Sequence, residues 1–201
     1  MSALLKTNVP TIRLYKRVFT DEECSELMGM LMCKAGIEWD VCTNQLEQTR
    51  SIVSFGYKRF KDIRRDPHPI SKNMDIFSLV NAQIHDILQE LENDNLIEFN
   101  NRIIDQWICY LYEDGEQCSP EIDCAFNPGT PIIIIVLGKS RNIIVKSKKT
   151  GRSVLNKKVK NGSIICLFEE FGKYYTYQMP MMDCSGLHIQ MFGSFSKFRT
   201  Y

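Results

Sequence analysis

Two carboxylates in the middle of the chain, Glu121 and Asp123, are the first candidates for metal chemistry because they lie two residues apart. On an extended strand, side chains two residues apart point to the same face, so both carboxylates can approach one ion. Hard cations such as Mg²⁺ and Ca²⁺ prefer oxygen ligands of this kind, although two ligands do not make a site. A hard-cation site is therefore one alternative that the spacing leaves open.

The cysteines and histidines, which supply sulfur and nitrogen ligands, limit the kinds of metal site that the sequence can form. The 201 residues include eight cysteines, no two of them separated by two residues, and three histidines, His68, His85 and His188. Structural zinc sites use such closely spaced cysteine pairs, so this class of site is not predicted. Because residues 1–30 lack a signal peptide, we expect reduced cysteines in an intracellular protein, either cytoplasmic or nuclear. A Cys–His nucleophile pair stays open as an alternative, because spacing alone does not test it.

The elements that must position these residues follow from the hydropathy pattern. Thr20 and the acids after it predict a helix start, and a second helix is predicted over about 72–92. Most of the chain after Asn93 alternates between short apolar runs and turn residues, which predicts antiparallel strands. The predicted strands are 9–19, 50–60, 103–112, 130–137, 142–146, 153–160, 163–168, 174–179 and 187–195. This order predicts an α+β fold, a two-sheet jelly roll with both helices on its outside.

Length and composition are those of one ordinary globular domain, which we predict to span residues 1–201. Apolar residues make up 44% and charged residues 24%, which excludes a disordered chain. The longest purely apolar run, 132–137, is six residues long, so no membrane span is predicted.

The formal net charge of +1 conceals a strongly basic segment. No acidic residue occurs between Asp123 and Glu169, and Tyr57 and Phe60 accompany a second basic group. Clustered cations with nearby aromatic rings are typical of proteins that bind single-stranded nucleic acid. The alternative is a solvated hairpin rim whose lysines prevent edge-to-edge strand pairing. The candidate contacts are Tyr57, Lys58, Arg59, Phe60, Lys61, Arg64, Arg65, Lys139, Arg141, Lys146, Lys148, Lys149, Arg152, Lys157, Lys158 and Lys160.

An ordered set of short motifs runs through the chain. Residues 99–123 read FNNRIIDQWICYLYEDGEQCSPEID, and Arg50 with Ser54-Phe55-Gly56-Tyr57 precedes them. A Pro67-His68-Pro69 loop lies before the second helix, and Gly162 precedes an apolar strand. In order and spacing, this set resembles the AlkB-like family of iron(II)/2-oxoglutarate dioxygenases.

The resemblance implies a double-stranded β-helix, or jelly roll, with two N-terminal helices packed on the major sheet. Residues 9–92 would supply the lid and supporting helices, and residues 93–201 the jelly-roll core.

The resemblance also implies where the metal and cosubstrate sites should lie, and the residues there depart from the family pattern. The family holds iron with two histidines and one carboxylate, at the positions of Glu121, Asp123 and Tyr177. It holds 2-oxoglutarate with an asparagine, a tyrosine and two arginines, at the positions of Tyr110, Tyr112, His188 and Ser194. Loss of the imidazoles removes the nitrogen ligands that iron(II) favours, and loss of the guanidinium groups removes the carboxylate clamp.

We therefore expect no metal ligands, no cofactor and no catalytic residues at these positions. The favoured hypothesis is a pseudoenzyme that acts as a binding module for single-stranded RNA or DNA. A protein-interaction scaffold is the first alternative. The second is an active iron(II)/2-oxoglutarate-dependent nucleic-acid demethylase with a non-standard metal site, such as one built from His188 and a remote histidine.

Overall fold

The computed structural model describes residues 3–5, 7–33, 37, 39–43, 49–56, 75–97, 104, 106–112, 131–168, 170–180 and 186–194. Glu121, Asp123 and the basic, aromatic segment 57–65 lie outside the described residues. The described helices are α1 (Asp21–Cys33), α2 (Asp75–Asn93) and α3 (Phe171–Tyr174). The described strands are β1 (Ala3–Leu5), β2 (Ile12–Lys16), β3 (Asp40–Thr43), β4 (Thr49–Gly56), β5 (Gln106–Tyr112), β6 (Ile132–Gly138), β7 (Arg141–Ser147), β8 (Ser153–Val159), β9 (Ser163–Leu167), β10 (Tyr175–Gln178) and β11 (His188–Ser194).

The described strands pair into a major and a minor antiparallel sheet. The major sheet has eight strands in the order β1-β2-β9-β6-β11-β5-β4-β3, and the minor sheet has three in the order β10-β7-β8. The chain passes repeatedly between the two sheets, which gives a jelly roll and confirms the predicted α+β fold class. In the part of the chain that the structure describes, no helix is long and apolar enough to cross a membrane.

The central strand β6 shows how the two sides of the major sheet are filled. Ile133, Ile135 and Leu137 lie in one buried cluster with apolar residues of α1 and α2. Ile134 and Val136 point to the opposite face and pack with residues of the minor sheet. A strand buried on both faces needs an unbroken apolar run, which explains the run 132–137 in the sequence. The two helices therefore cover one face of the major sheet, and the minor sheet covers the other.

The start of α1 is fixed by reciprocal hydrogen bonds between Thr20 and Glu23. The Glu23 N–H donates to Thr20 Oγ1 at 3.2 Å, and the Thr20 N–H donates to Glu23 Oε2 at 2.8 Å. This capping box confirms the predicted helix start. Asn161 Nδ2 donates to Asp21 Oδ1 at 2.9 Å, which ties the helix to the turn between β8 and β9.

Gly162 connects that turn to β9 in a left-handed backbone conformation, with φ of +72°. A Cβ atom added at Gly162 would collide with the carbonyl oxygen of Phe19, a backbone atom. We expect Gly162→Ala to lower the free energy of unfolding by about 2 kcal/mol, from backbone strain plus the steric clash. Urea unfolding of both proteins measures this loss.

Gly151 provides a matched control, because its φ is +67° but no atom lies within 4 Å of an added Cβ. Gly151→Ala should cost only the backbone strain, about 1 kcal/mol. Equal losses in the two variants would contradict the packing explanation for Gly162.

Candidate functional site

A group of polar side chains is buried between the two sheets, at one end of the jelly roll. Arg141 is 4% exposed, and His188 and Gln190 are fully buried. His188 lies opposite Tyr112 in the pairing of β11 with β5, and Gln190 lies opposite Tyr110. Alternation along β11 points His188 and Gln190 towards the minor sheet, while Ile189 and Met191 face the helices.

Hydrogen bonds fix the tautomer of His188. Its Nδ1 lies 2.9 Å from the carbonyl oxygen of Lys139, and its Nε2 lies 3.1 Å from Nε2 of Gln190. A carbonyl oxygen can only accept, so Nδ1 carries the proton and Nε2 accepts from the Gln190 amide. The same amide nitrogen donates to Sδ of Met179 at 3.2 Å. Both ring nitrogens of His188 are therefore engaged inside the protein.

The surroundings of His188 keep its ring neutral. Burial and the positive charge of Arg141 lower the pKa of His188 from 6.5 to about 3, opposed only by the hydrogen bond to the Lys139 carbonyl. Because an imidazolium cannot accept a hydrogen bond, the neutral ring is also the form that the Gln190 amide requires. This part of the cluster is built to hold a neutral imidazole.

Arg141 is the positive charge of the cluster and lies against an aromatic ring. Its guanidinium carbon is 5.3 Å from the centroid of the Tyr112 ring, in a cation–π contact. The ring centroids of Tyr112 and His188 are 5.9 Å apart. The cluster therefore runs continuously from β7 through β5 to β11.

The sequence predicts Arg141 as a surface contact for nucleic acid, but the structure buries this residue. Strand alternation places Arg141 on the inner face of β7 with Ile143 and Val145, which are fully buried. A phosphate on the outside of the protein cannot reach a guanidinium group in this position. Arg141 belongs to the buried polar cluster.

Tyr177, the residue at the predicted distal iron-ligand position, also faces the space between the sheets. It is 3% exposed, lies opposite Val145 in the pairing of β10 with β7, and its ring is 6.4 Å from that of Phe171. Met179, two residues further along, contacts Gln190 of the polar cluster. The structure thus brings the strand of Tyr177 beside the buried cluster, while Ser194 lies at the far end of β11, opposite Gln106.

The described residues do not fit an iron(II) site with two histidine ligands. His188 uses both ring nitrogens within the protein, and His85 lies on the exposed side of α2, across the major sheet from the cluster. The sequence has three histidines, so one imidazole, that of His68, remains for a site that needs two. Within the described ranges, no group of three or more potential metal ligands occurs. The resemblance places a cosubstrate arginine at the position of His188, where the structure has a buried imidazole that is held neutral.

Most of the remaining candidate contacts are on the β7–β8 hairpin and the turns at its ends. Gly151 forms the tight turn, where its N–H donates to the Ser147 carbonyl oxygen at 2.8 Å. Lys146 is half-buried, and the other lysines and the arginine are exposed. We call this set the basic hairpin surface, and its members are Lys139, Lys146, Lys148, Lys149, Arg152, Lys157, Lys158 and Lys160.

Sequence reasoning missed three residues that the structure brings to these two regions. Gln190 completes the hydrogen bonds of His188, and Lys173 and Tyr174 lie beside the basic hairpin surface. The alternation of β11 could have identified Gln190, because this residue points to the same face as His188 and Phe192 and has apolar neighbours. The sequence pattern predicts a strand that begins at Tyr174, whereas the structure ends helix α3 at this residue and begins β10 at Tyr175.

Comparisons with solved structures find the same fold. OsALKBH1 matches with a TM-score of 0.63 and 8% sequence identity, over 96% of this chain and 100% of that chain. A 2OG-Fe(II) oxygenase family oxidoreductase from Burkholderia pseudomallei matches with a TM-score of 0.65 and 12% identity, over 92% and 85% of the two chains. A prolyl-4-hydroxylase from Pseudomonas putida matches with a TM-score of 0.55 and 10% identity, over 93% of both chains.

No protein-family model matches the sequence, and no curated protein matches it. At identities of 8–12% the structural similarity concerns the fold, which does not by itself carry function. The prediction of an AlkB-like 2-oxoglutarate oxygenase fold is confirmed at this level.

Proposed function

On the premise of that fold, we propose that this chain is a catalytically inactive AlkB-like domain that binds single-stranded RNA or DNA through its basic hairpin surface. The observation that carries the proposal is the exposure of the cations of that surface. Lys148, Lys149 and Arg152 are exposed around the turn, and Lys157 and Lys158 are exposed along β8. Residues 124–168, which carry all of these cations, contain no acidic side chain. A polyanion gains most from cations gathered without intervening acids.

Part of this surface is also explained by the position of β8 at the edge of the minor sheet. By strand alternation Lys157 lies on the same face of β8 as the buried Leu155 and Val159, yet it is exposed. This is expected of a lysine that blocks edge-to-edge pairing. That role does not require the cations of the turn, Lys149 and Arg152, which lie beyond the paired strands. The excess of charge at the turn favours an anionic partner over edge protection alone.

The proposed lack of catalytic activity is supported by the histidines that are available as iron(II) ligands. Iron(II) in this fold class needs two imidazoles, and His188 and His85 are both unsuitable for the reasons given above. We expect protein incubated anaerobically with iron(II) and 2-oxoglutarate, then desalted, to retain far less than one iron per chain and to release no succinate. Metal analysis and succinate quantification make this test, with an active 2-oxoglutarate oxygenase handled in parallel. Stoichiometric iron together with succinate release would overturn the assignment and favour an active demethylase.

The proposed binding of single-stranded nucleic acid is tested with a fluorescein-labelled oligonucleotide of about 12 bases, titrated with protein at low salt. Fluorescence anisotropy should give a Kd below about 1 μM, because low salt strengthens phosphate contacts. Binding no tighter than micromolar would contradict the proposal and leave the protein-interaction scaffold as the better account.

A further inference from the structure

Tyr174 stands out on the surface beside the basic hairpin. This residue is 46% exposed. Among the described residues, it is the exposed aromatic residue that lies next to the basic hairpin surface. It is the last residue of α3, immediately before β10. The rings of Phe171 and Tyr177, from the same part of the chain, are buried between the sheets. The ring of Tyr174 meets that of the half-buried Tyr175 in a T-shaped arrangement, with centroids 6.5 Å apart, and much of the residue remains open to solvent.

The backbone of this tyrosine is fixed against the hairpin. The Lys148 N–H donates to the Tyr174 carbonyl oxygen at 2.9 Å, and Lys148 Nζ donates to the Gly172 carbonyl oxygen. Tyr175, the next residue, pairs with Ser147 of β7. The backbone of Tyr174 is thus fixed next to the turn that carries Lys149, which places the residue beside the basic hairpin surface.

A further cation lies directly at the ring. Lys173 Nζ is 5.0 Å from the Tyr174 ring centroid and 4.0 Å from Glu170 Oε1. Both members of that ion pair are well exposed, so the pair contributes little and can be exchanged for a phosphate contact. The exposed ring offers a base a stacking surface, and Lys173 at the ring and Lys148 on the adjoining turn offer the adjacent phosphates cations.

We propose that Tyr174 is a stacking platform for an unpaired nucleobase, whose flanking phosphates contact Lys148, Lys149 and Lys173. This inference rests on the proposed function and adds the class of ligand feature that the site recognises. Phosphate contacts alone do not distinguish a single strand from any other polyanion. Stacking of one base on an aromatic side chain adds about 1–3 kcal/mol and requires a base that is not stacked in a duplex. The platform therefore favours a single strand over inorganic polyphosphate.

The test compares wild-type protein with Tyr174→Ala and with Tyr174→Phe, which keeps the ring. The probes are a labelled 12-base oligo(dT) and inorganic polyphosphate of similar charge, which carries no bases. We expect Tyr174→Ala to weaken oligo(dT) binding about tenfold or more and to leave polyphosphate binding unchanged. Tyr174→Phe should bind both probes within about twofold of wild type, since the ring remains.

Each contrary outcome has a distinct meaning. If wild-type protein binds oligo(dT) and Tyr174→Ala binds it equally well, the platform is overturned while the proposed function stands. Equal weakening for oligo(dT) and polyphosphate also overturns the platform, because the tyrosine then acts through the charged surface. If wild-type protein does not bind oligo(dT), both the proposed function and the platform fail. Urea unfolding of Tyr174→Ala, expected to match wild type, shows that the exposed substitution leaves the fold intact.

Discussion

The triple substitution Lys149→Gln, Arg152→Gln and Lys158→Gln is expected to weaken single-stranded oligonucleotide binding about 100-fold at 0.1 M salt. All three side chains are exposed on the basic hairpin surface, two at the turn and one on β8. Each phosphate that a cation neutralises on a single strand releases about 0.7 counterions, so losing three cations removes about two powers of ten in affinity at this salt concentration. Anisotropy titrations of the variant and wild type measure the difference.

The matched control exchanges the cations instead of removing them, as Lys149→Arg, Arg152→Lys and Lys158→Arg. This variant should bind within a few-fold of wild type, because phosphate contacts respond mainly to charge. An unchanged Kd in the glutamine variant would show that the hairpin cations are a solvated rim. The phosphate-binding role would then be rejected.

His188 should make the protein sensitive to acid. In the folded state the pKa of His188 is lowered to about 3, by burial first and then by the charge of Arg141, whereas the unfolded chain has the ordinary value of 6.5. Between pH 3 and pH 6.5 the unfolded chain binds a proton at His188 that the folded protein does not bind. The free energy of unfolding is therefore not reduced by this residue above pH 6.5, and it decreases as the pH falls towards 3. The loss due to this residue should reach about 2 kcal/mol at pH 5 and about 4 kcal/mol by pH 3.

His188→Gln removes this titration while keeping an amide that can donate to the Lys139 carbonyl oxygen. Urea unfolding at pH 7.5 and at pH 5 should show a smaller loss in this variant than in wild type, by about 2 kcal/mol. The control is His85→Gln, which replaces an exposed residue of α2 and leaves His188 in place. If His188→Gln keeps the full acid sensitivity of wild type, the neutral, buried imidazole is not its source.

The alternation of apolar residues was sufficient to predict the long, well-packed elements of the fold. The strand at 130–137 and the two helices confirm this, because burial imposes a regular period on their sequences. The edge strands β1 and β3 were missed, since Ala3–Leu5 and Asp40–Thr43 are three and four residues long and each pairs on one side. So short a strand contains too few residues to show a period.

The buried site was harder to predict because its contacts join residues that are distant in sequence. Local charge groups Arg141 with the basic segment, although on β7 it points to the same face as the buried Ile143 and Val145. The resemblance predicts a cosubstrate position at His188, but the acceptor of its hydrogen bond, the carbonyl oxygen of Lys139, lies 49 residues away. Tertiary pairing of β11 with β6 brings these groups together, and spacing along the chain cannot show it.

The salt dependence of single-stranded oligonucleotide binding by the wild-type protein tests the central claim most directly. If the basic hairpin surface engages at least four phosphates, log K should fall linearly with log salt concentration, with a slope of about −3 or steeper. Anisotropy titrations between about 0.05 and 0.3 M salt measure this slope over a range where phosphate contacts weaken strongly. A slope near zero, or no binding at the lowest salt, would contradict a nucleic-acid-binding role for this jelly roll.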